Sequence, residues 1–207
     1  VERGAKEAAA ELKVEAIWKG PLQENDRAQQ IQLVQQFLSQ GVDAIALAPL
    51  DRAALVGVVR EARAKNVPVA IFDSSLDGTP GVDFASYVAT DNRKAGELAG
   101  SALANLMGTS GASGAVVMRY MVGSASTTDR EEGCLAALKL ANVTVLSDNR
   151  YPGTTTGEAK TEALNSIDAL RQAGGVFCPN ESSTYGMLLA LRQEGLLGEG
   201  RKVKFVG

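Results

Sequence analysis

The chain has 207 residues, a formal net charge of −3 and no histidine. Its content of 45% hydrophobic and 22% charged residues is typical of a globular protein, and a mildly acidic chain without a basic cluster argues against a nucleic-acid-binding surface. The lack of histidine excludes Ser-His and Cys-His nucleophile pairs, so the composition disfavours an enzyme, although carboxylate or lysine chemistry stays open.

The first half of the sequence alternates short apolar runs with amphipathic helices. Gly41 is expected to end the second helix and Asp91 to cap the last one. The predicted elements are a helix over 1–12, a strand over 14–18, a helix over 26–40, a strand over 44–48, a helix over 51–65, strands over 67–72 and 86–89, and a helix over 92–107.

The second half repeats this scheme, which predicts parallel sheets covered by helices on both faces. Between the halves, the small-residue linker GTSGASG spans 108–114. We therefore expect two doubly wound α/β domains, 1–107 and 114–207, joined by a hinge and facing one cleft. The predicted elements of the second half are strands over 115–118, 143–146, 175–178 and 203–206, and helices over 128–140, 156–173 and 181–194.

Both ends of the sequence differ from those of a complete doubly wound sheet. Such a sheet normally starts with a strand, whereas this chain is expected to start with a helix. The chain stops at Gly207, directly after the apolar run KVKFVG, where a ligand-facing loop would be expected. The interpretation is an excerpt of a larger fold that lacks the first strand and the C-terminal part.

Neither cysteine has the spacing of a metal site, so Cys134 and Cys178 are expected to be buried small hydrophobic residues. No metal or cofactor is expected. The sequence has no apolar run long enough for a membrane span and no signal peptide. A mature exported protein would share these features, so they leave the compartment open.

Polar side chains follow the predicted strands, at the sheet edge where α/β proteins bind ligands. Carboxylates, amides, hydroxyls and guanidinium groups are mixed there, which suits a neutral polyhydroxyl ligand better than a phosphate. These residues are Asp73 and Ser74, Thr90 to Asn92, Arg119 and Tyr120, Asp148 to Arg150, and Asn180 with Glu181.

Asp73 is the sharpest of these candidates, because a carboxylate directly after a buried strand needs partners. A ligand's hydroxyls would supply them; the alternative is a bond to the backbone amides of the turn at Ser74, Ser75 or Asp77. Asn180 has a similar ambiguity, since it can contact a ligand or act as a turn or cap residue.

The stretch 114–133 combines a strand, a hydroxyl-rich loop and a predicted helix start at Thr128-x-x-Glu131. Arg130 is expected in the first helical turn, where the helix dipole disfavours a cation, so a bidentate ligand contact is one interpretation. An ion pair with Asp129 or Glu131 is the other. Of the hydroxyls at 124–128, most are expected to serve the loop and the cap, and only Ser126 is kept as a ligand candidate.

Four motifs in order, FDSSLDG, SYVATDNRKAGELAG, GSASTTDREEG and GVFCPNESSTYGMLLAL, resemble those of the sugar-binding type 1 periplasmic binding proteins, the ribose-binding-protein class of ABC-transporter receptors. The resemblance implies two hinged domains that close on a sugar. It also implies ligand contacts from Asp73, Arg130 and Asn180. An arginine follows the aspartate in the ribose-binding pattern, but Ser74 stands here. Ser74, Ser126 and Tyr120 complete the candidate set.

The resulting hypothesis is a binding protein, without catalytic residues, that captures a sugar or polyol and presents it to a membrane permease. The resemblance places such a protein in the periplasm or another extracytoplasmic compartment. The alternative is the effector-binding domain of a lac-repressor-type regulator or sensor kinase, since these share the fold. An α/β enzyme is the third possibility, and the missing histidine and motifs disfavour it.

Overall fold

The computed structural model describes residues 1–108, 114–198 and 203–207, and the predicted linker lies largely outside them. Two parallel sheets with flanking helices confirm the predicted α/β class. In chain order the elements are α1 (Glu2–Leu12), α2 (Arg27–Gln40), β1 (Ile45–Leu47), α3 (Val56–Ala64), β2 (Val69–Phe72), β3 (Ser86–Val88), α4 (Asn92–Met107), β4 (Ala115–Met118), α5 (Ala125–Leu140), β5 (Val145–Arg150), α6 (Thr156–Asn165), α7 (Ile167–Gln172), β6 (Gly175–Phe177), α8 (Glu181–Gln193) and β7 (Lys204–Val206).

The first sheet has the order β1-β2-β3, with every pair parallel. Its alternating inward side chains, such as Ile71, pack with Val34 of α2 and with Leu55 and Val59 at α3 to form one core. The parallel register brings the carboxyl ends of β1 and β2 to the same edge. The loops after these strands are thereby placed side by side.

The second sheet has the order β5-β4-β6-β7, also parallel. All four residues of β4 are buried, as expected for a central strand covered on both faces. Met118 and Val176 face one core with Met187 and Leu191 of α8. Val117 belongs to the other core, beneath α4 and α5.

Helix α4 packs against α5 and against β6 and β7, although it precedes the predicted linker. Gly96, Gly100 and Gly133 allow the two helix backbones to approach closely. We propose that the division between the two units lies between β3 and α4, ahead of the linker. Below, residues 1–88 are called the first lobe and residues 92–207 the second lobe.

The predicted strand over 14–18 is wrong. The segment forms no strand and pairs with no described strand, and Val14, Ile17 and Trp18 are exposed. A strand exists only where a neighbour satisfies its backbone N–H and C=O groups, and an apolar run alone does not provide one.

Several helix boundaries also differ from the predictions. Helix α3 starts late because the Asp51 carboxylate accepts the Ala53 and Ala54 N–H groups, each at 2.9 Å, and fixes a separate turn. Helix α5 starts at Ala125, three residues before the predicted start. The predicted helix over 156–173 is divided at Ser166 into α6 and α7.

Both cysteines are free and buried, as predicted. Burial raises the pKa of the Cys134 thiol to about 12 and also raises the pKa of Cys178. Deprotonated thiolate is therefore scarce at either position near neutral pH. Among the described helices, none has the length and apolar character needed to cross a membrane.

Candidate functional site

A cavity of about 340 Å³ opens where the strand ends of the two lobes face each other. All six residues predicted as ligand contacts line it, and they come from both lobes. The predicted residues are Asp73, Ser74, Tyr120, Ser126, Arg130 and Asn180, and the cavity is completed by Glu24, Ala48, Pro49, Leu50, Met121, Ser124, Thr127 and Glu181.

Asp73 lies directly after β2 with a φ of 64°, in the left-handed region that non-glycine residues rarely adopt. Its backbone N–H donates to Val88 at 3.1 Å. The backbone N–H groups of Ser74 and Asp77 donate to the backbone carbonyls of Phe72 and Arg52, and not to the Asp73 carboxylate. Within the described residues that carboxylate has no hydrogen-bond partner, so its acceptors are free toward the cavity.

Ser74, the next residue, joins the two lobes at the cavity wall. Its side-chain oxygen accepts the backbone N–H of Ser126 at 3.2 Å, and both residues are buried. The two serines therefore line the same wall from opposite lobes. Their small size leaves room in the cavity that a longer side chain at position 74 would fill.

Arg130 lies in the second turn of α5, not in the first, because the helix starts at Ala125. Its Nε donates to Asn92 Oδ1 at 2.8 Å and its Nη1 donates to the Pro179 carbonyl at 3.0 Å. The predicted alternative, an ion pair with Asp129 or Glu131, is not found among the described residues. Two hydrogen bonds hold the guanidinium at the cavity wall, and its Nη2 group has no hydrogen-bond partner among the described residues.

Asn180 caps α8, which is one of the two roles that the sequence left open, and it also lines the cavity. Its Oδ1 accepts the Ser183 N–H at 3.3 Å and the Ser183 hydroxyl at 2.5 Å. Its Nδ2 donates to Ser182 at 3.4 Å. The capping box fixes the side chain at the mouth of the β6–α8 turn.

Tyr120 donates its hydroxyl hydrogen to the Glu24 carboxylate, which reaches it from the first lobe. Burial, followed by this bond and the Glu24 charge, raises the pKa of Tyr120 well above its ordinary value. Sequence reasoning missed Glu24, which lies in the loop before α2 and 96 residues from its partner. No local pattern could have identified it.

No cluster of three or more histidine, cysteine or acidic side chains in residues 1–108, 114–198 and 203–207 is arranged to hold a metal ion. The side chains that line the cavity offer hydrogen-bond donors and acceptors on facing walls, a composition suited to binding hydroxyl groups.

Comparison with known proteins assigns the family. The sequence model of the Periplasmic binding protein domain matches residues 1–207. The chain belongs to this family. The sequence motifs and the two parallel sheets agree with the assignment to its ribose-binding-protein-like members.

Similar proteins of this family include the ribose import binding protein RbsB of Bacillus subtilis, 32% identical over 83% of this chain and 54% of the relative. The galactofuranose-binding protein YtfQ of Escherichia coli is 28% identical over 81% of this chain and 53% of the relative. This chain therefore spans about half the length of these curated relatives.

Solved structures show the same fold. The periplasmic component of a sugar transport system from Hahella chejuensis is 37% identical, with a TM-score of 0.87 over 93% of this chain and 69% of that one. A solute binding protein from Agrobacterium vitis with bound D-fucose is 33% identical, with a TM-score of 0.83 over 94% of this chain and 67% of that one.

In this periplasmic binding protein domain, Arg119 is not a cavity residue, although it follows β4 as predicted. It is buried against Glu131 and Glu132, at 3.1 and 2.9 Å from Nη1. The Glu131 carboxylate also accepts the Tyr120 N–H at 3.0 Å. The buried pair of Arg119 and Glu131 therefore lies outside the cavity and fixes the backbone between β4 and Tyr120, which does line it.

Glu131 is 2% exposed, and burial raises the pKa of its carboxyl to about 7 despite the neighbouring Arg119. Because the folded protein then binds this proton more tightly than the unfolded chain, the contribution of Glu131 to the free energy of unfolding should fall as pH rises from about 4.5 to about 7. Glu131→Gln should abolish this decline, which is at most about 3 kcal/mol. Urea unfolding across this pH range measures it.

The matched control is Glu132→Gln, which removes a second carboxylate from Arg119 at an exposed position. It should retain the decline between pH 4.5 and pH 7. An unchanged pH dependence in Glu131→Gln would show that Glu131 is ionised throughout this range.

Proposed function

We propose that the protein binds a neutral sugar or related polyol between its lobes and delivers it to the permease of an ABC transporter outside the cytoplasm. The observation that carries the proposal is the convergence of six polar side chains from both lobes on one cavity. Ligand contacts to both lobes would favour the closed form, which a permease can distinguish from the open one.

The free groups on the two walls are complementary to hydroxyls. Asp73 would accept hydrogen bonds from the first lobe, and Arg130 would donate them from the second. Asn180 would donate through its Nδ2 group, because its Oδ1 already accepts two hydrogen bonds from Ser183. Such a set can satisfy the hydrogen bonds of a ligand hydroxyl, which both donates and accepts.

The charge of the cavity favours a neutral ligand over an anionic one. Three carboxylates, those of Glu24, Asp73 and Glu181, line it beside the single guanidinium of Arg130. The pKa of Tyr87 is raised by partial burial and then by the charges of Asp129 and Asp73, which indicates a negative field on this side. A carboxylate or phosphate on the ligand would be repelled.

The relatives support this ligand class. Their names include a ribose import binding protein, a D-ribose/D-allose-binding protein from Pseudomonas aeruginosa and a xylitol-binding protein from Mycolicibacterium smegmatis. Ribose, allose and xylitol, the compounds in these names, are all neutral and polyhydroxylated. The named relatives are binding proteins, so the effector domain of a regulator is not favoured.

The test is calorimetric titration of the intact protein with D-ribose, D-allose, D-fucose and xylitol, and with D-galacturonate and D-glucose 6-phosphate as anionic counterparts. We expect at least one neutral compound to bind with a Kd in the micromolar range or below, and the anions to bind at least about tenfold more weakly. Native mass spectrometry of the purified protein would reveal a retained ligand outside this panel.

Asp73→Asn tests whether the ligand binds in this cavity, because Asp73 lines it. It removes the charge and half of the acceptor capacity that faces the ligand, so the affinity should fall about tenfold. Asp168→Asn is the matched control, because Asp168 is exposed on α7 and does not line the cavity. Preferential binding of an anion, or equal affinity in Asp73→Asn and the parent protein, would contradict the proposal.

A further inference from the structure

The loop between β4 and α5 is bound to the first lobe by contacts that lie outside the cavity. Arg27, at the start of α2, donates through Nη2 to the Val122 carbonyl at 2.7 Å. The backbone N–H of Arg52 donates to the Gly123 carbonyl at 3.0 Å. Two successive carbonyls of a second-lobe loop are thus held by donors of the first lobe.

Asp51 holds the arginine in this position. Its Oδ2 lies 3.2 Å from Arg27 Nη1, and its side chain is 9% exposed. Burial alone would raise the pKa of Asp51, but the Ala54 and Ala53 N–H groups and the Arg27 charge outweigh it and lower the pKa. The carboxylate is therefore ionised at neutral pH and pairs with Arg27 there.

Gly123 allows the loop backbone to approach Asp51 closely. It has a φ of 96°, and a Cβ atom at this position would overlap Asp51 Oδ2. The loop backbone can lie this close to the first lobe only because residue 123 has no side chain. The glycine at position 123, the ion pair and the two loop carbonyls thus belong to one interlobe contact.

We propose that Arg27, Asp51 and Gly123 form an interlobe latch, a set of positioning residues that stabilises the closed cavity without touching the ligand. None of the three lines the cavity. The loop that they hold leads directly to Ser124 and Ser126, which do line it. Contacts made only when the lobes meet raise the fraction of protein in the closed form, and the apparent ligand affinity rises in proportion to that fraction.

The experiment removes the latch from the first lobe and follows both shape and affinity in the intact protein. Arg27→Ala should increase the radius of gyration of the ligand-free protein in small-angle X-ray scattering. It should weaken binding of the neutral compounds D-ribose, D-allose, D-fucose and xylitol by about three- to tenfold, in equal proportion for each compound that binds. Gly123→Ala should act in the same direction from the second lobe.

Arg52→Ala is the matched control. Its side chain pairs with Asp77 of its own lobe at 2.6 Å, while its contact to Gly123 is made by the backbone and survives the substitution. It should match the parent protein in both radius and affinity. A general loss of stability would affect both arginine variants, whereas loss of the latch affects only Arg27→Ala.

The inference rests on the proposed function, but the two can fail separately. If the parent protein binds none of the neutral compounds, the proposed function fails, while the scattering comparison still tests the latch. An unchanged radius of gyration in both Arg27→Ala and Gly123→Ala would overturn the latch. So would equal effects of Arg27→Ala and Arg52→Ala, or weaker binding with no change in radius.

Discussion

Arg130→Ala should weaken ligand binding by at least about tenfold, or about 1.5 kcal/mol, which is the scale of a hydrogen bond to a charged group. The guanidinium reaches the cavity wall from α5, and its Nε and Nη1 are fixed by Asn92 and by the Pro179 carbonyl. This fixation means that little conformational entropy is lost when the remaining donors bind a ligand. Calorimetric titration with the neutral compound that binds the parent protein best provides the measurement.

Two further variants separate the contact from its surroundings. Arg130→Lys keeps the charge but loses the planar fork, so it should restore only a small part of the affinity. Arg150→Ala removes an exposed arginine of the same lobe that pairs with Glu162 at 3.3 Å and lies outside the cavity. It should bind like the parent protein. Parent-like affinity in Arg130→Ala would remove Arg130 from the site.

The positions of the six predicted cavity residues followed from topology more than from any single motif. In a parallel sheet every strand ends at the same edge, so the residues after β4 and β6 lie together at the edge of the second sheet, and the residue after β2 lies at the corresponding edge of the first. Asp73, Tyr120 and Asn180 could therefore be placed from the sequence. Their hydrogen bonds could not, because these depend on rotamers and on the lobe opposite.

The contacts between lobes were invisible to the sequence for the same reason. Glu24 and Tyr120 are 96 residues apart, and Arg27 and Val122 are 95 apart. No periodicity or spacing connects such pairs. Arg119 shows the converse case. It follows a strand as the cavity residues do, yet it pairs with Glu131 and Glu132 and lies buried outside the cavity.

Helix starts were the least predictable local feature. The pattern Thr128-x-x-Glu131 resembles a capping box, but Glu131 is buried and bonded to Arg119 and Tyr120 instead of to a cap. A glutamate three residues after a threonine favours a helix start only when its side chain is free to turn back. The tertiary ion pair removed that freedom, and α5 continued toward Ser124.

Gly96→Ala should destabilise the second lobe by about 3 kcal/mol or more, at the upper end of the range for overpacked cores. A Cβ atom at Gly96 of α4 would overlap the Arg130 carbonyl oxygen of α5, and one at Gly100 would lie 2.6 Å from the Cys134 carbonyl oxygen. Both partners are backbone atoms of a rigid helix, so the helices must separate. Thermal and urea unfolding measure the loss.

The same substitution should also weaken binding in the protein that remains folded, because the atom that must move belongs to Arg130 itself. Gly157→Ala is the matched control: Gly157 is exposed in α6, and a Cβ atom there meets nothing within 4 Å. Alanine at such a helical position should leave binding unchanged and raise stability by up to about 1 kcal/mol. If Gly96→Ala unfolded and bound like Gly157→Ala, the close approach of α4 and α5 would not be what holds Arg130 at the cavity.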